Sequence, residues 1–577
     1  MLRTYLLNLV VLPICLFAQD IDTYRLTKWS NAGLITDIDN NKTTLFSSNY
    51  AFDLSGKSSN SSLLNQIIQN AKPQTTIILE KGLYLFESPI VLKSDITLKG
   101  IDSSTVLRFN NLGENDCIKA IGVKSKDSLN IYQSLSKFDS FIVAPNHNFK
   151  ANDILKIESN DSAYITSSWA LKSTGQLVRV SKTSNDTLFL YNTIRRYFSA
   201  NQWPYLIKIN PIKNVKIENL KIERKSASNK NTSNIALRYA LNCQINCIES
   251  YACDFAHVEL SNAIACCVKG NYFQDGLDYG GGGSAYGAVL QFTTGNSLVE
   301  HNTFNHLRHS ILLQAGANGN AIIYNYSTNP FWEGTISPND AAGDLVLHGN
   351  YVYANLFEGN SVQNIVIDDS HGQNGPNNVF FRNRASGYGI VMNTTQPSDS
   401  QIIIGNEITN TTLLKGLFSI TGNGVFSYGN NIKGTITPKN TSDLQDNSYF
   451  YKQPPQHYTN MNAWPVFGYP KSLGQHINAS ELDFKLFSIK TKCISKSLNA
   501  PKLEIFSLNI HPNPTSRYIN IESKASIVSV EIIDLRSGII FKTKNYEKLD
   551  LSNLSKGIYI LKIQSNKASA FKKIILN

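Results

Sequence analysis

Between Asn246 and Asn430 short apolar runs end again and again in asparagine: CQIN, CVKGN, LVEHN, IIYN, LFEGN, FFRN, IIIGN and FSYGN. Successive asparagines lie 25, 31, 23, 35, 23, 23 and 24 residues apart. A period near 23 with several strand-like runs per cycle is what a coil of parallel strands requires, because one turn must hold a few strands and the bends between them. Asparagine suits such a bend. It tolerates left-handed backbone, and its amide can bond the backbone and the same residue one turn above or below. A leucine-rich horseshoe would need leucine at fixed intervals and a helical half-repeat, and the chain has neither. The expected class is all-β.

On these motifs the stretch from about 60 to 480 resembles the pectate-lyase-like right-handed parallel β-helix superfamily, asparagine ladder included. The opening from Ser62 to Gly100, with TTIILEKGLYLF, SPIVL and DITLKG, is similar to the N-terminal start of many such proteins. At its start, SSLLNQIIQN has apolar residues at Leu63, Leu64, Ile67 and Ile68. That spacing predicts a short amphipathic helix capping the open end of the coil. Residues 19–60 read as a polar lead-in anchored by Trp29. Residues 117–210 lack the asparagine period and read as alternating strands with Asn, Asp and Ser turns, so they are expected to form a small β insertion on the first turns. Pro454 to Lys471, rich in proline and aromatics, is expected to cover the far end, and residues 481–503 to be a linker.

The last segment, from about Glu504, closely resembles the C-terminal sorting module of the type IX secretion system. The resemblance rests on Pro512-Asn513-Pro514, Asp534 with Gly538, Leu551 to Tyr559 and the Lys572-Lys573 pair. It implies a small β-sandwich and the type IX machinery as a partner. At the other end, Arg3 followed by the apolar run Tyr5 to Phe17 and Ala18 reads as a cleavable signal over residues 1–18. No later apolar run is long enough to span a membrane. Secretion, or display at the outer-membrane surface, is the expectation.

The net charge of +11 does not argue for nucleic acid. Residues 505–577 carry 11 Lys and Arg against 5 Asp and Glu, so much of the excess sits in the tail. Five cysteines lie between Cys243 and Cys267. Their spacing suits buried thiols stacked in neighbouring turns, or one disulfide, better than a metal site.

Lining up the strand that precedes each asparagine gives a column of polar ends: Glu259, Gln291, Gln314, His348, Asp368 and Asn393. If these point outward, Leu290, Leu313, Leu347, Ile367 and Met392 point inward. The two long cycles place their extra residues at Asp275 to Gly287 and at Ser327 to Gly343, on the same side, with His306, Arg308 and His309 between them. The pattern suggests a cleft for a chain-like ligand. His348 is a candidate base or acid and Asp368 its orienting partner. Arg308, His309 and His306 can neutralise or bind a sugar carboxylate. Gln291, Gln314, Asn393, Asp369 and His371 are candidate substrate contacts, and Trp332, Phe331 and Tyr353 candidate stacking faces. Each has a structural alternative: His348 as a satisfied strand end, Trp332 as a pin for its own loop, Arg382 and Arg384 as turn supports.

DDSHG at Asp368 to Gly372 faintly resembles the polygalacturonase family, whose paired aspartates and Gly-His-Gly are here compressed into one loop, so no catalytic residue is carried over. Hydrolysis needs two carboxyls roughly 5 to 9.5 Å apart. Within the column the nearest acid to Asp368 is Glu259, four coils or roughly 19 Å away. The column therefore leans towards lyase chemistry. The functional expectation is a carbohydrate-active protein that cleaves a polysaccharide and works as a monomer, with epimerisation and non-catalytic glycan binding or adhesion as rivals. No cofactor is assigned. Calcium is the one cation that Asp368 and Asp369, with loop carboxylates, could hold.

Overall fold

The computed structural model describes residues 21–279, 283–332, 343–392, 396–455, 464–487, 508–523, 527–533, 539–543, 547–565 and 569–577. The expected signal segment, Asn393, Asp534, Gly538 and most of the expected linker lie outside them. Two compact units are present: Met1–Phe484 with Ile489–Cys493, and Lys485–Ser488 with Ile494–Asn577.

The first unit is a right-handed parallel β-helix. Among the described residues 31 of its strands join in one coiled sheet system, all but the last, Thr435–Thr437, pairing in parallel with a strand one turn away, as Leu298–Glu300 does with Ala321–Ile323 and that with Leu356–Glu358. Asn271, Asn302, Asn325, Asn360, Asn383, Asn406 and Asn430 stack at one bend, each Nδ2 donating to the next Oδ1 at 2.8 to 3.0 Å. Two details differ from the sequence reading. The left-handed residue is the one before each asparagine (φ 50° to 67° at Gly270, His301, Tyr324, Gly359, Arg382, Gly405 and Gly429), so the side chain of Asn is used for its hydrogen bonds and not for its backbone tolerance. Asn246 is not a rung. Cys247 takes the left-handed slot (φ 57°) and the Ile248 amide donates to Asn271 at 2.8 Å, which restores the 23-residue cycle. A second ladder stands five residues ahead of the first: Asn320, Asn355, Asn378 and Gln401, linked at 3.0 to 3.1 Å.

The sheet between the two ladders is buried on both faces, which is why its strands read as unbroken apolar runs. Ile403 faces the coil interior, while Ile402 and Ile404 pack outward on Trp29, Tyr428 and Leu444. Two outer segments supply that cover. The lead-in runs back along the coil: Arg25 donates to Ser400 O, Trp29 Nε1 to Ala354 O, the Gly33 amide to Asn296 O, and Asn40 to Asn214 O, each at 2.8 Å. It then enters the coil as Thr43–Phe46, paired with Thr75–Ile78. Helix Ser61–Asn70 closes that end with Leu64, Ile67 and Ile68 buried.

The other outer segment corrects the expectation for Pro454 to Lys471. Instead of covering the far end, its described part from Trp464 on lies along the flank: Val466 and Phe467 pack on Leu298, Ala321 and Ile323, and Trp464 Nε1 donates to Tyr324 Oη at 3.0 Å. Arg382 holds it through the carbonyls of Asp446, Phe467 and Tyr469, and Arg384 pairs with Glu407 at 2.9 Å. The apolar outer face of this sheet is a larger demand for burial than the coil end, where the hairpin Asn430–Ile432 with Thr435–Thr437 suffices. Residues 479–487, at the start of the expected linker, are helical.

Beneath this segment Glu358 is fully buried, accepting from Tyr324 Oη at 3.0 Å, the Tyr449 amide at 2.9 Å and the Ser448 hydroxyl. Burial pushes its carboxyl up to about 7. A raised carboxyl favours folding fully below its free value of 4.5, and that contribution is lost as pH rises through about 7. Ionisation should therefore cost the fold about 3 kcal/mol. Thermal unfolding of the wild type is expected to fall between mildly acidic and mildly alkaline buffer, and Glu358→Gln to flatten that slope. Equal slopes in the two proteins would place the dependence elsewhere.

The insertion spans Val123–Asn210 as a six-stranded sheet with its own core of Ile142, Leu155, Val178, Leu188, Phe198 and Leu206. It does not rest on the first turns. Arg195 bonds Asn318 at 2.7 Å, Tyr353 Oη bonds Gly175 O at 2.8 Å, and Lys156 bonds Asn262 at 3.0 Å, so it leans over later turns. Buried cations such as Arg195 must find acceptors there, a long-range demand invisible in a local pattern. Cys243, Cys253, Cys266 and Cys267 are buried free thiols, with Cys243 Sγ donating to Leu241 O at 3.4 Å and Cys266 Sγ to Ile264 O at 3.7 Å, and Cys247 is buried. No helix among the described residues is long and apolar enough to cross a membrane.

The second unit has a three-stranded sheet (Leu508–His511, Tyr518–Ser523, Lys548–Asp550) and a four-stranded antiparallel sheet (Ile527–Ile533, Ile539–Thr543, Gly557–Ser565, Ser569–Leu576). Ile519, Ile521 and Leu549 of one pack on Val530, Ile532, Leu561 and Ile574 of the other. Asn513 ties the Pro-Asn-Pro motif to the last strand through Lys573 O at 2.7 Å and the Ile575 amide at 2.9 Å.

Candidate functional site

Four successive strands form the floor of a groove: Tyr286–Gln291, His309–Leu313, Leu345–His348 and Ser361–Asp368. Leu290 pairs with Leu313, Leu313 with Leu347, Leu347 with Ile367, and His348 with Asp368. The four apolar residues are fully buried in the interior. Alternation then sets Gln291, Gln314, His348 and Asp368 in one outward column. Met392 continues the inner row, and Asn393 beyond it lies outside the described residues. Glu259 is not in the column: it pairs with Val289, and Ser261 takes the place beside Gln291. A shift of two residues keeps the same face outward, so the sequence pattern could not detect it.

The column has two halves. In the first, Arg238 pairs with Asp116 and Glu259 at 2.7 and 2.5 Å, Gln291 donates to Glu259 at 3.0 Å, and Gln314 to Gln291 at 2.6 Å. These side chains satisfy one another. In the second half His348 Nε2 lies 3.5 Å from Asp368 Oδ2, both side chains about 15% exposed. Asp368 is set by Ser370, whose amide and hydroxyl donate to it at 2.9 and 2.6 Å. The His309 ring stands edge-on to His348 at 5.7 Å, and the His371 ring is 4.8 Å away. Arg308 lies 5.8 Å from the Tyr286 ring and 5.9 Å from that of Trp332.

A carbonyl only accepts, so the 2.9 Å contact of His309 Nδ1 with Gly343 O fixes the proton on Nδ1. Its Nε2, like His348 Nδ1, has no hydrogen-bond partner among the described residues. Burial, opposed by Asp368 and reinforced by His371 and Arg308, lowers His348 to about 4. Burial also holds His309 well below the ordinary histidine range. Both rings are therefore neutral bases at neutral pH.

The walls come from three places. Tyr279 of the glycine-rich loop stacks on Phe331 of the next inserted loop at 4.5 Å, so both loops leave the coil on one side. His306 is bound between Tyr279 Oη and Asp275 Oδ1, each at 2.9 Å, and ties that wall together. The opposite wall is the insertion, where Trp169 approaches Phe292 at 5.8 Å and His371 at 5.9 Å. Nothing in the sequence pattern brings Trp169 here. Tyr286 was also missed, although aligning its strand with that of His309 sets the two in register. Tyr353 is not a stacking face: it is 1% exposed, and its hydroxyl is spent on the insertion. Asp369 Oδ2 accepts from the Gln396 amide at 2.5 Å. Among the described residues no three His, Cys, Asp or Glu side chains converge as a metal site.

The fold defines a right-handed parallel β-helix protein, with histidines gathered beside Asp368 on one sheet face. Residues 509–577 match the secretion system C-terminal sorting domain, which indicates secretion or attachment at the cell surface by the type IX machinery. No curated protein matches the chain in sequence. Among solved structures the chain is similar to the tailspike protein of Pseudomonas phage phi297 (TM-score 0.49, 11% identity, covering 68% of this chain and 76% of that one). It is also similar to the tailspike of Pseudomonas phage LKA1 (0.46, 12%, 67% and 77%) and an alginate lyase from Paenibacillus sp. (0.33, 10%, 68% and 99%). At these identities the likeness is one of coil, and the chemistry has to be argued from this chain's own residues.

Proposed function

We propose that the protein is an exported polysaccharide lyase acting on a uronate-containing glycan laid along the groove. The observation that carries this reading is the gathering of His309, His348 and Asp368 on one outward face of the coil, with Arg308 next to His309. Elimination needs a cation to neutralise the uronate carboxylate, a base for the adjacent carbon-bound proton, and a proton donor for the departing glycosidic oxygen. Arg308 supplies the cation. His348, oriented by Asp368, takes the proton as base. Burial keeps the Tyr286 phenol protonated, which suits it to the donor role. Trp332, His306 and Gln314 line the binding surface, with Gln291 behind Gln314.

Incubation with a panel of uronate glycans should release unsaturated ends, seen by ultraviolet absorbance. Arg308→Lys should raise KM about tenfold on acidic glycans, since an ammonium replaces a two-pronged donor. Reducing ends without unsaturation would point to hydrolysis instead. A second reading, non-catalytic glycan binding, is favoured by the Arg238–Glu259–Gln291–Gln314 network, whose side chains are already satisfied. Binding without any product in the same panel would select it. An inverted sugar with no cleavage would select epimerisation.

A further inference from the structure

The insertion meets the coil at places prepared for it. A Cβ at Gly316 would fall 1.9 Å from Ser173 O, and one at Gly319 2.2 Å from the Arg195 guanidinium. Both glycines have positive φ (71° and 65°), so no other residue fits the turn and the contact together. The segment carrying Trp169 is pinned next to this contact. Ala170 is fully buried and packs with Ile165 on Ala315, flanked by Phe292 and Tyr351. Trp169 itself remains 45% exposed on this rigid turn, Ser168–Ala170. Its two aromatic neighbours, Phe292 and His371, stand at 83° and 80° to it, so neither lies flat on the indole. His371 is in turn 4.8 Å from His348. The indole thus borders the proposed base across one ring.

We propose that Trp169 is a stacking platform for a sugar ring of the bound glycan, placing the ring next to His348. This rests on the polysaccharide reading above and deepens it. An immobilised indole costs little ordering entropy on binding, and a pyranose ring presents a face of C–H groups that the electron-rich indole attracts. Trp169 is a positioning residue, with no part in proton transfer.

The test uses the full chain and the uronate glycans of the panel. Trp169→Ala should raise KM about tenfold with kcat changed less than threefold. Trp169→Tyr should recover most of that loss, and all variants should unfold at the wild-type temperature. Direct binding is read separately in His348→Ala, where glycan stays intact: adding Trp169→Ala should weaken its affinity about tenfold. Cleavage with KM unchanged in Trp169→Ala would overturn the platform and leave the lyase reading standing. Binding that depends on Trp169 without cleavage by the wild type would do the reverse. A wild type that neither binds nor cleaves would end both.

Discussion

Replacing His348 by alanine is expected to lower kcat on uronate glycans by about 10³-fold while KM stays within a few-fold of wild type. The side chain does its work on the reacting proton and adds little to ground-state binding. Asp368→Asn should cost less, about 10²-fold, because it leaves the base in place and loses only its orientation. The pH profile supplies an independent check. A base is active when unprotonated, and His348 is held at about 4 by burial against the pull of Asp368. The acid limb of kcat/KM should therefore fall near pH 4 and not near an ordinary histidine value. Asp368→Asn removes the one neighbour that favours the charged ring, so the limb should move lower still. If His348→Ala keeps activity within threefold of wild type, the base is another group, and His309 with its proton fixed on Nδ1 is next in line.

The largest effect on stability is expected from the ladder. Asn360 donates to Ile322 O at 2.8 Å and Asn383 Oδ1 at 2.9 Å, and accepts from the Asn325 amide at 3.0 Å and its side chain at 2.9 Å. All of these groups are fully buried. Asn360→Ala would leave the Asn325 amide without its acceptor and take one bond each from Ile322 O, Asn383 Oδ1 and Asn325 Nδ2, the last two keeping the Asn360 amide and Val299 O, at a cost of about 3 to 5 kcal/mol. Since each turn touches only its neighbours, the loss falls in mid-coil and uncouples the turns on either side. Asn430, at the end of the ladder with no asparagine beyond it, should be markedly more tolerant. Chemical unfolding of the two alanine variants checks this, and equal shifts would show that the ladder is not the cooperative element argued for here.

The two kinds of ladder show how far local pattern reaches. The first was legible because one residue type recurs at one spacing. The second was equally regular, five residues ahead, yet passed unnoticed because Ser297 and Gln401 interrupt the asparagines at its ends. The floor was legible as a set of faces, since strand alternation is strict, but not in its register: Glu259 and Ser261 share a face, and only the pairing with Val289 and Gln291 separates them. Arg308 and His309 were legible because the inserted loops bracket them in sequence, and His348 and Asp368 because they end successive strands of the column. His371 and Asp369 came with the same turn, and the structure separates them: the first meets His348, the second is bound to the next turn.

By itself the sequence determined the coil, its period, the helix at its start, the sorting domain at its end and the outward side of the floor. Each of these follows from repetition or from a contiguous motif. Only the tertiary structure decided that the insertion and not the coil supplies the Trp169 wall, that Tyr353 is spent on that contact, and that the segment after Pro454 seals a flank. Those outcomes depend on which distant surfaces must be buried together, and on which buried cations and amides must find partners. Neither demand leaves a periodic mark on the chain.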